Sequence, residues 1–278
     1  MKNCRVVIKV EITNRKSVSQ KIREVLEFRE LLYFFAWKDI RVKYKQAVLG
    51  FLWAILQPLL LMLVFTMLAS AISLNSGTIP YPIFAFSGII FWNIFASGVQ
   101  TAGNSIVTNA HIIKKIFFPK LILPVSAVLV SIFDFLIAFL VLVAMMFYYS
   151  SEIQMRYRMF YLIPALLMVM LASFGTGTLL SAFNVKYRDF KYIIPFVIQL
   201  GFFASPVIYP SLTISNPLLA LLYNANPFVG IMALVRFACF NMPFEISQIF
   251  PGLITAIVVF VVGIVVFFRM ERNFADIA

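Results

Sequence analysis

Residues 46–113 contain no Asp, Glu, Lys or Arg, and further uncharged stretches cover residues 159–185, 192–235 and 246–268. A membrane-crossing helix needs only about 20 apolar residues, so each stretch can cross at least once. With 62% hydrophobic and 12% charged residues over 278 positions, the chain cannot enclose its apolar side chains in one water-soluble core. Lipid must solvate it.

Six spans are expected, at 49–74, 82–101, 121–149, 159–183, 192–209 and 249–268, with the turn stretch 75–80 breaking the first uncharged run into a hairpin. The net charge of +12 supports this layout through its distribution. Twelve basic residues precede residue 46, and later clusters are Lys114, Lys115 and Lys120, then Lys186, Arg188 and Lys191, then Arg269 and Arg272. Six crossings put every cluster on one side, leaving only Arg156, Arg158 and Arg236 on the other. This is the positive-inside signature, so both termini are expected in the cytoplasm, and the charge is a topology signal and not a nucleic-acid footprint. Residues 1–45 form a charge-dense cytoplasmic segment ahead of a membrane domain at 46–278. They lack the apolar core of a cleavable signal, so the first span is expected to direct insertion.

The stretch 228–240 is apolar but too short to cross, and a crossing there would move Arg269 and Arg272 outside. Asn216-Pro217 and Asn226-Pro227 instead read as starts of two short re-entrant or interfacial helices on the outer side. Ahead of the first span, Val18, Ile22, Val25, Phe28, Leu32 and Phe35 recur at steps of three or four among charged residues. That stripe predicts an amphipathic helix lying at the cytoplasmic interface, or packed on a protein face. Residues 5–13 alternate like a strand and suggest no role. Cys4 and Cys239 are too far apart in sequence to suggest a metal site or disulfide scaffold.

Catalytic signals are missing. There is no phosphate-binding G-x-x-x-x-G-K-[ST] loop, no metal-ligand cluster and one histidine, so the chain is not expected to hydrolyse ATP or to hold a cofactor. Asp134 is the clear acidic residue at membrane depth, and two readings stand: a structural group bonded to a neighbouring helix, or a group serving transport. Trp37, Trp53 and Trp92 read first as interface anchors.

Ordered motifs carry a more specific message: WKDIRVKYKQAVLGFLWAILQPLL at 37–60, NAHIIKKIFFPKLILP at 109–124, FNVKYRDFKYIIPF at 183–196, SPVIYP at 205–210 and NPF at 226–228. This set resembles the ABC-2 permeases, and among them the exporters of O-antigen, capsule and teichoic acid. The resemblance covers residues 29–236. It implies an all-α membrane protein of six spans with an interface helix, a cytoplasmic coupling helix and outer-side re-entrant gate helices. It further implies a homodimer paired with two copies of a separate ATP-binding subunit that holds the ATP and Mg, in a bacterial inner membrane. The cargo implied is a lipid-linked glycan such as O-antigen or teichoic acid.

The resemblance also assigns residues. Asn109, His111, Lys114, Lys115 and Phe118 fall in the loop that docks the ATPase. Tyr187, Arg188 and Asp189 stand either as a positive-inside anchor or as a contact with the ATPase or the lipid diphosphate. Phe51, Phe202, Phe203 and Tyr209 lie on the spans that line the glycan pathway. Within the family, drug export or another lipid-like cargo is the nearer alternative. An ion-coupled carrier would need more ionisable groups than Asp134 supplies, and a polyprenol-handling enzyme would need paired carboxylates or a metal site.

Overall fold

The computed structural model describes residues 18–45, 50–71, 79–149, 157–187, 189–212, 214–271 and 274. Among them the regular structure is entirely helical. The strand-like stretch 5–13, Cys4, Arg156, Arg188 and Arg272 lie outside the described residues. The helices are α1 (Val18–Glu27), α2 (Arg29–Lys45), α3 (Leu52–Ala71), α4 (Tyr81–Thr108), α5 (Ala110–Ile113), α6 (Ile122–Tyr148), α7 (Leu162–Lys186), α8 (Phe190–Ala204), α9 (Pro217–Asn224), α10 (Pro227–Phe240) and α11 (Ile246–Met270). A 3-10 turn, Tyr157–Tyr161, leads into α7.

Five of these are long and apolar enough to span: α3, α4, α6, α11, and α7 with its leading turn. The fifth expected span is shorter than its uncharged stretch. α8 ends at Ala204 after 15 residues, a rise of about 22 Å against a hydrocarbon core of roughly 30 Å. The cause is local: Ser205 precedes Pro206, which disfavours helical backbone before it, and Ser205 is extended. α9 and α10 form an apolar pair bent by 77°, as the two Asn-Pro starts predict. Asn216 caps α9 by accepting from the Leu218 amide at 3.0 Å, and Asn226 caps α10 by accepting from Phe228 at 3.0 Å, with proline in each first turn.

α4 is the central post. It packs against α6 and α7 along most of its length, and α3 and α8 flank it. Small residues permit that approach. A Cβ on Gly177 of α7 would stand 2.8 Å from the Ala102 methyl of α4. α7 and α11 cross more closely still: a Cβ on Gly263 would lie 2.3 Å from the Gly175 carbonyl oxygen, so only glycine fits.

Trp92 corrects an expectation. It is buried in the middle of α4, against Phe228 at 4.6 Å, Phe95 at 5.3 Å and Phe202 at 5.7 Å, instead of anchoring a membrane surface. Gly201 leaves room for its ring. Trp37 and Trp53 are exposed.

The amphipathic stripe is real and faces protein. α1 and α2 meet at Phe28, and Val25, Phe28, Leu32 and Phe35 pack against Ile113, Phe118, Ile122 and Phe268 at one end of the bundle. The side chains of Val18 and Ile22 lie outside the described residues. A second face of the pair leaves Leu26, Tyr33 and Trp37 exposed, with Arg41 over the Trp37 ring at 5.2 Å, a composition suited to a water–lipid boundary.

Candidate functional site

Three regions gather side chains of functional interest. The first is the end of the bundle where α1, α2, the 109–121 loop and the end of α11 meet. Glu271 ties them together: it pairs with Lys21 of α1 at 2.8 Å, and its backbone carbonyl accepts from Lys120 at 3.0 Å. Lys114, Lys115, Lys120, Lys21 and Arg269 therefore share one end of the bundle.

The loop itself divides the five residues expected to dock a partner. Asn109 and Phe118 point inward, where Asn109 accepts from Lys38 at 3.1 Å and Phe118 packs on Phe35 at 5.6 Å. His111, Lys114 and Lys115 are exposed, and beside them Ile116 and Phe117 are also exposed, 60% and 69% respectively. Of the two adjacent phenylalanines, Phe117 is the one presented and Phe118 is the brace. In the next basic loop, Tyr187 is half-exposed with Lys186 over its ring at 5.0 Å, and Asp189 is exposed just before α8.

The second region is built around Asp134 of α6. Its carboxylate accepts from both Lys43 and Tyr44 of α2, and the Tyr44 ring rests on Phe133 at 5.6 Å. α2 thus runs alongside α6, from Phe35 on Phe118 to Tyr44 on Asp134, which gives Asp134 bonded partners on a neighbouring helix. Burial, reinforced by the hydrogen bond to Asp134 and by its charge, pushes the Tyr44 phenol well above its ordinary range, so it stays a proton donor.

A cavity of about 560 Å³ opens beside this cluster, between α2, α3, α4 and α6. Gln57, Asn93 and Gln100 contribute amides, and Trp53 a half-exposed ring. Sequence reasoning missed this wall. Asn93, Ser97, Gln100 and Asn104 follow one another at steps of four, three and four, a polar stripe on one face of a spanning helix.

The third region lies at the opposite end, around 205–210. Arg236 of α10, expected on the side away from the basic clusters, is buried. It donates to the carbonyls of Pro206 at 2.6 Å and Tyr209 at 2.7 Å and to Ser211 Oγ at 3.2 Å, and lies over the Phe84 ring at 4.3 Å. Tyr81 adds a bond to the Ile208 carbonyl at 2.7 Å, and Asn226 one to Ser205 Oγ at 2.9 Å. These bonds pin the segment that stops α8. The four aromatic pathway candidates do not form one track. Phe202 packs inward on Trp92 and Phe65, Phe203 is exposed, and the Tyr209 hydroxyl bonds the Phe203 carbonyl at 3.0 Å. Phe51 is exposed at the start of α3, at the other end of the bundle.

Comparison with known proteins matches residues 30–240 to the ABC-2 type transporter family. The chain is 28% identical over 249 residues to an O-antigen export system permease protein RfbA of Klebsiella pneumoniae, covering 89% of this chain and 95% of that one. A protein of the same name from Myxococcus xanthus is 29% identical over 213 residues, covering 76% and 80%. An apolar multi-helix bundle, an amphipathic helix pair packed at its end and a family match across most of its length agree: the chain belongs to the ABC-2 type transporters.

Proposed function

We propose that this chain is the membrane-spanning subunit of an exporter that moves a lipid-linked polysaccharide out of the cytoplasm. Two copies of the chain would pair with two copies of a separate ATP-binding subunit that supplies the ATP and Mg chemistry. The names of the O-antigen export relatives support the cargo. Residues 1–45 form the cytoplasmic segment, residues 46–278 the membrane domain, and the basic end faces the cytoplasm of a bacterial inner membrane.

The observation that carries the reading is the loop tip at His111, Lys114, Lys115, Ile116 and Phe117. Cationic and apolar groups project there from a turn held rigidly by Phe118 on Phe35. A solvated topology loop has no need to expose Ile116 and Phe117, whereas a docking tip does. A stroke delivered to the tip would reach α4 and α6, which it joins, and α2 through the brace. Tyr187, Arg188 and Asp189 form the second contact toward the ATPase or the lipid diphosphate. Phe203 and Tyr209 serve the outer part of the pathway and Phe51 its entrance.

Replacing Lys114 and Lys115 with Glu tests this. Both side chains are exposed, so insertion and folding are expected to persist while co-purification of the ATP-binding subunit and surface glycan fall together. Full export with normal insertion would remove the tip from coupling.

A further inference from the structure

We propose that the cavity between α2, α3, α4 and α6 binds an uncharged, hydroxyl-rich head group, a sugar ring, carried by a membrane-anchored molecule. The source of that sugar, though not the site, rests on the export reading above.

Charge does not favour the commoner head groups. Lys43 is the cation in the cavity wall and Asp134 the anion, and they are engaged with each other. The paired charges offset each other, so neither a phosphate or carboxylate nor a choline gains a net opposite charge here. The wall offers neutral hydrogen-bonding capacity instead. Among the described residues, the side-chain amides of Gln57, Asn93 and Gln100 have no hydrogen-bond partner, and each brings two donors and one acceptor. Ser97 and Ser131 spend their protons on carbonyls of their own helices, at 2.7 Å each, so their oxygens accept. Hydroxyl groups, donors and acceptors at once, match such a wall. The exposed Trp53 indole supplies a flat face for the C–H side of a sugar ring.

Size and setting agree. A volume of about 560 Å³ is that of a small-ligand pocket. On α3, the face that carries Trp53 and Gln57 continues through Leu60 and Val64, both half-exposed. This apolar track leads away from the cavity along a spanning helix, where a lipid tail would lie.

The test uses the full chain in lipid nanodiscs with two photoreactive probes sharing one diazirine-bearing alkyl chain, one ending in β-D-glucose and the other in phosphocholine. The glucoside is expected to label peptides of α3 and α4 more than the phosphocholine does, and Gln100→Leu or Asn93→Leu is expected to cut that excess about fivefold, as for one lost hydrogen bond. Gln100 is exposed, so its variant answers even where Asn93→Leu disturbs packing. Equal labelling by both probes, or labelling indifferent to both variants, overturns the proposal.

Cells carrying the ATP-binding subunit then identify the source. Surface glycan lowered by Gln100→Leu assigns the site to the exported glycan. Export unchanged while labelling is lost assigns it to a resident glycolipid. Failure of the export reading shows itself separately, as surface glycan that survives deletion of the whole chain.

Discussion

Replacing Arg236 with Met should loosen the 205–211 segment without unfolding the bundle. The guanidinium satisfies the Pro206 and Tyr209 carbonyls and Ser211 Oγ. Methionine keeps much of the volume and removes every donor. Ser211 can turn to another partner, but the two carbonyls belong to the backbone and cannot be replaced. A buried acceptor left unmade costs about 1–3 kcal/mol, so two cost about 2–6 kcal/mol. Against this, none of the three groups that Arg236 binds is an anion, and removing the charge relieves part of its desolvation penalty. The net expectation is about 2–4 kcal/mol, a rise of roughly 30- to 700-fold in the open fraction of the segment.

Cys239, one turn further along α10 and buried, reports that opening directly. In a Cys4→Ser background, its labelling rate with N-ethylmaleimide should rise by that factor in Arg236→Met. Arg236→Lys should fall between, because one ammonium cannot reach all three acceptors. A Cys239 rate within about threefold of the parent, with unchanged thermal unfolding, would refute the claim that Arg236 pins this segment.

Gly263→Ala should lower thermal stability in detergent by about 1–3 kcal/mol, because its new methyl meets the Gly175 carbonyl and forces α7 from α11. Alanine substitution of Phe35 and Phe118, singly and together, should give a coupling of about 0.5–1.5 kcal/mol in a double-mutant cycle of unfolding, the signature of one ring contact. Tyr44→Phe should destabilise by about 1 kcal/mol and expose the end of α2 to limited proteolysis. The phenol's folded-state value is raised, so its contribution is fully present through neutral pH, up to the ordinary phenol value of about 10, and is lost as pH rises from there to the raised value. A Tyr44→Phe effect that disappears between about pH 7 and 9 would contradict this.

Features governed by neighbours in sequence were legible. Uncharged length located the spans, Asn-Pro pairs located the starts of α9 and α10, and the steps from Val25 to Phe35 located the buried face of α1 and α2. The stop at Ser205-Pro206 was equally local, yet the apolar run through it hid the stop. The α4 stripe of Asn93, Ser97, Gln100 and Asn104 stood in plain view, overshadowed by the lone carboxylate of Asp134. Features made by distant partners were not legible. Nothing near Arg236 announces carbonyls 27 and 30 residues away. In the irregular loop after α5, no periodicity tells Phe117, which faces outward, from Phe118, which faces in.

The central position of α4 bears on how the protein is made. Of the five long helices it is the least hydropathic and by far the most enclosed, so the segment that lipid accepts least willingly becomes the axis of the finished bundle. Left alone in a bilayer, its amides and serines would face hydrocarbon. Its insertion is therefore tied to that of α3, the more apolar arm of the same hairpin, and it gains its full shield only once α6 and α7 have been synthesised. Biogenesis then has a vulnerable interval, after α4 leaves the ribosome and before α7 arrives, in which quality control meets an incomplete chain through its most polar span.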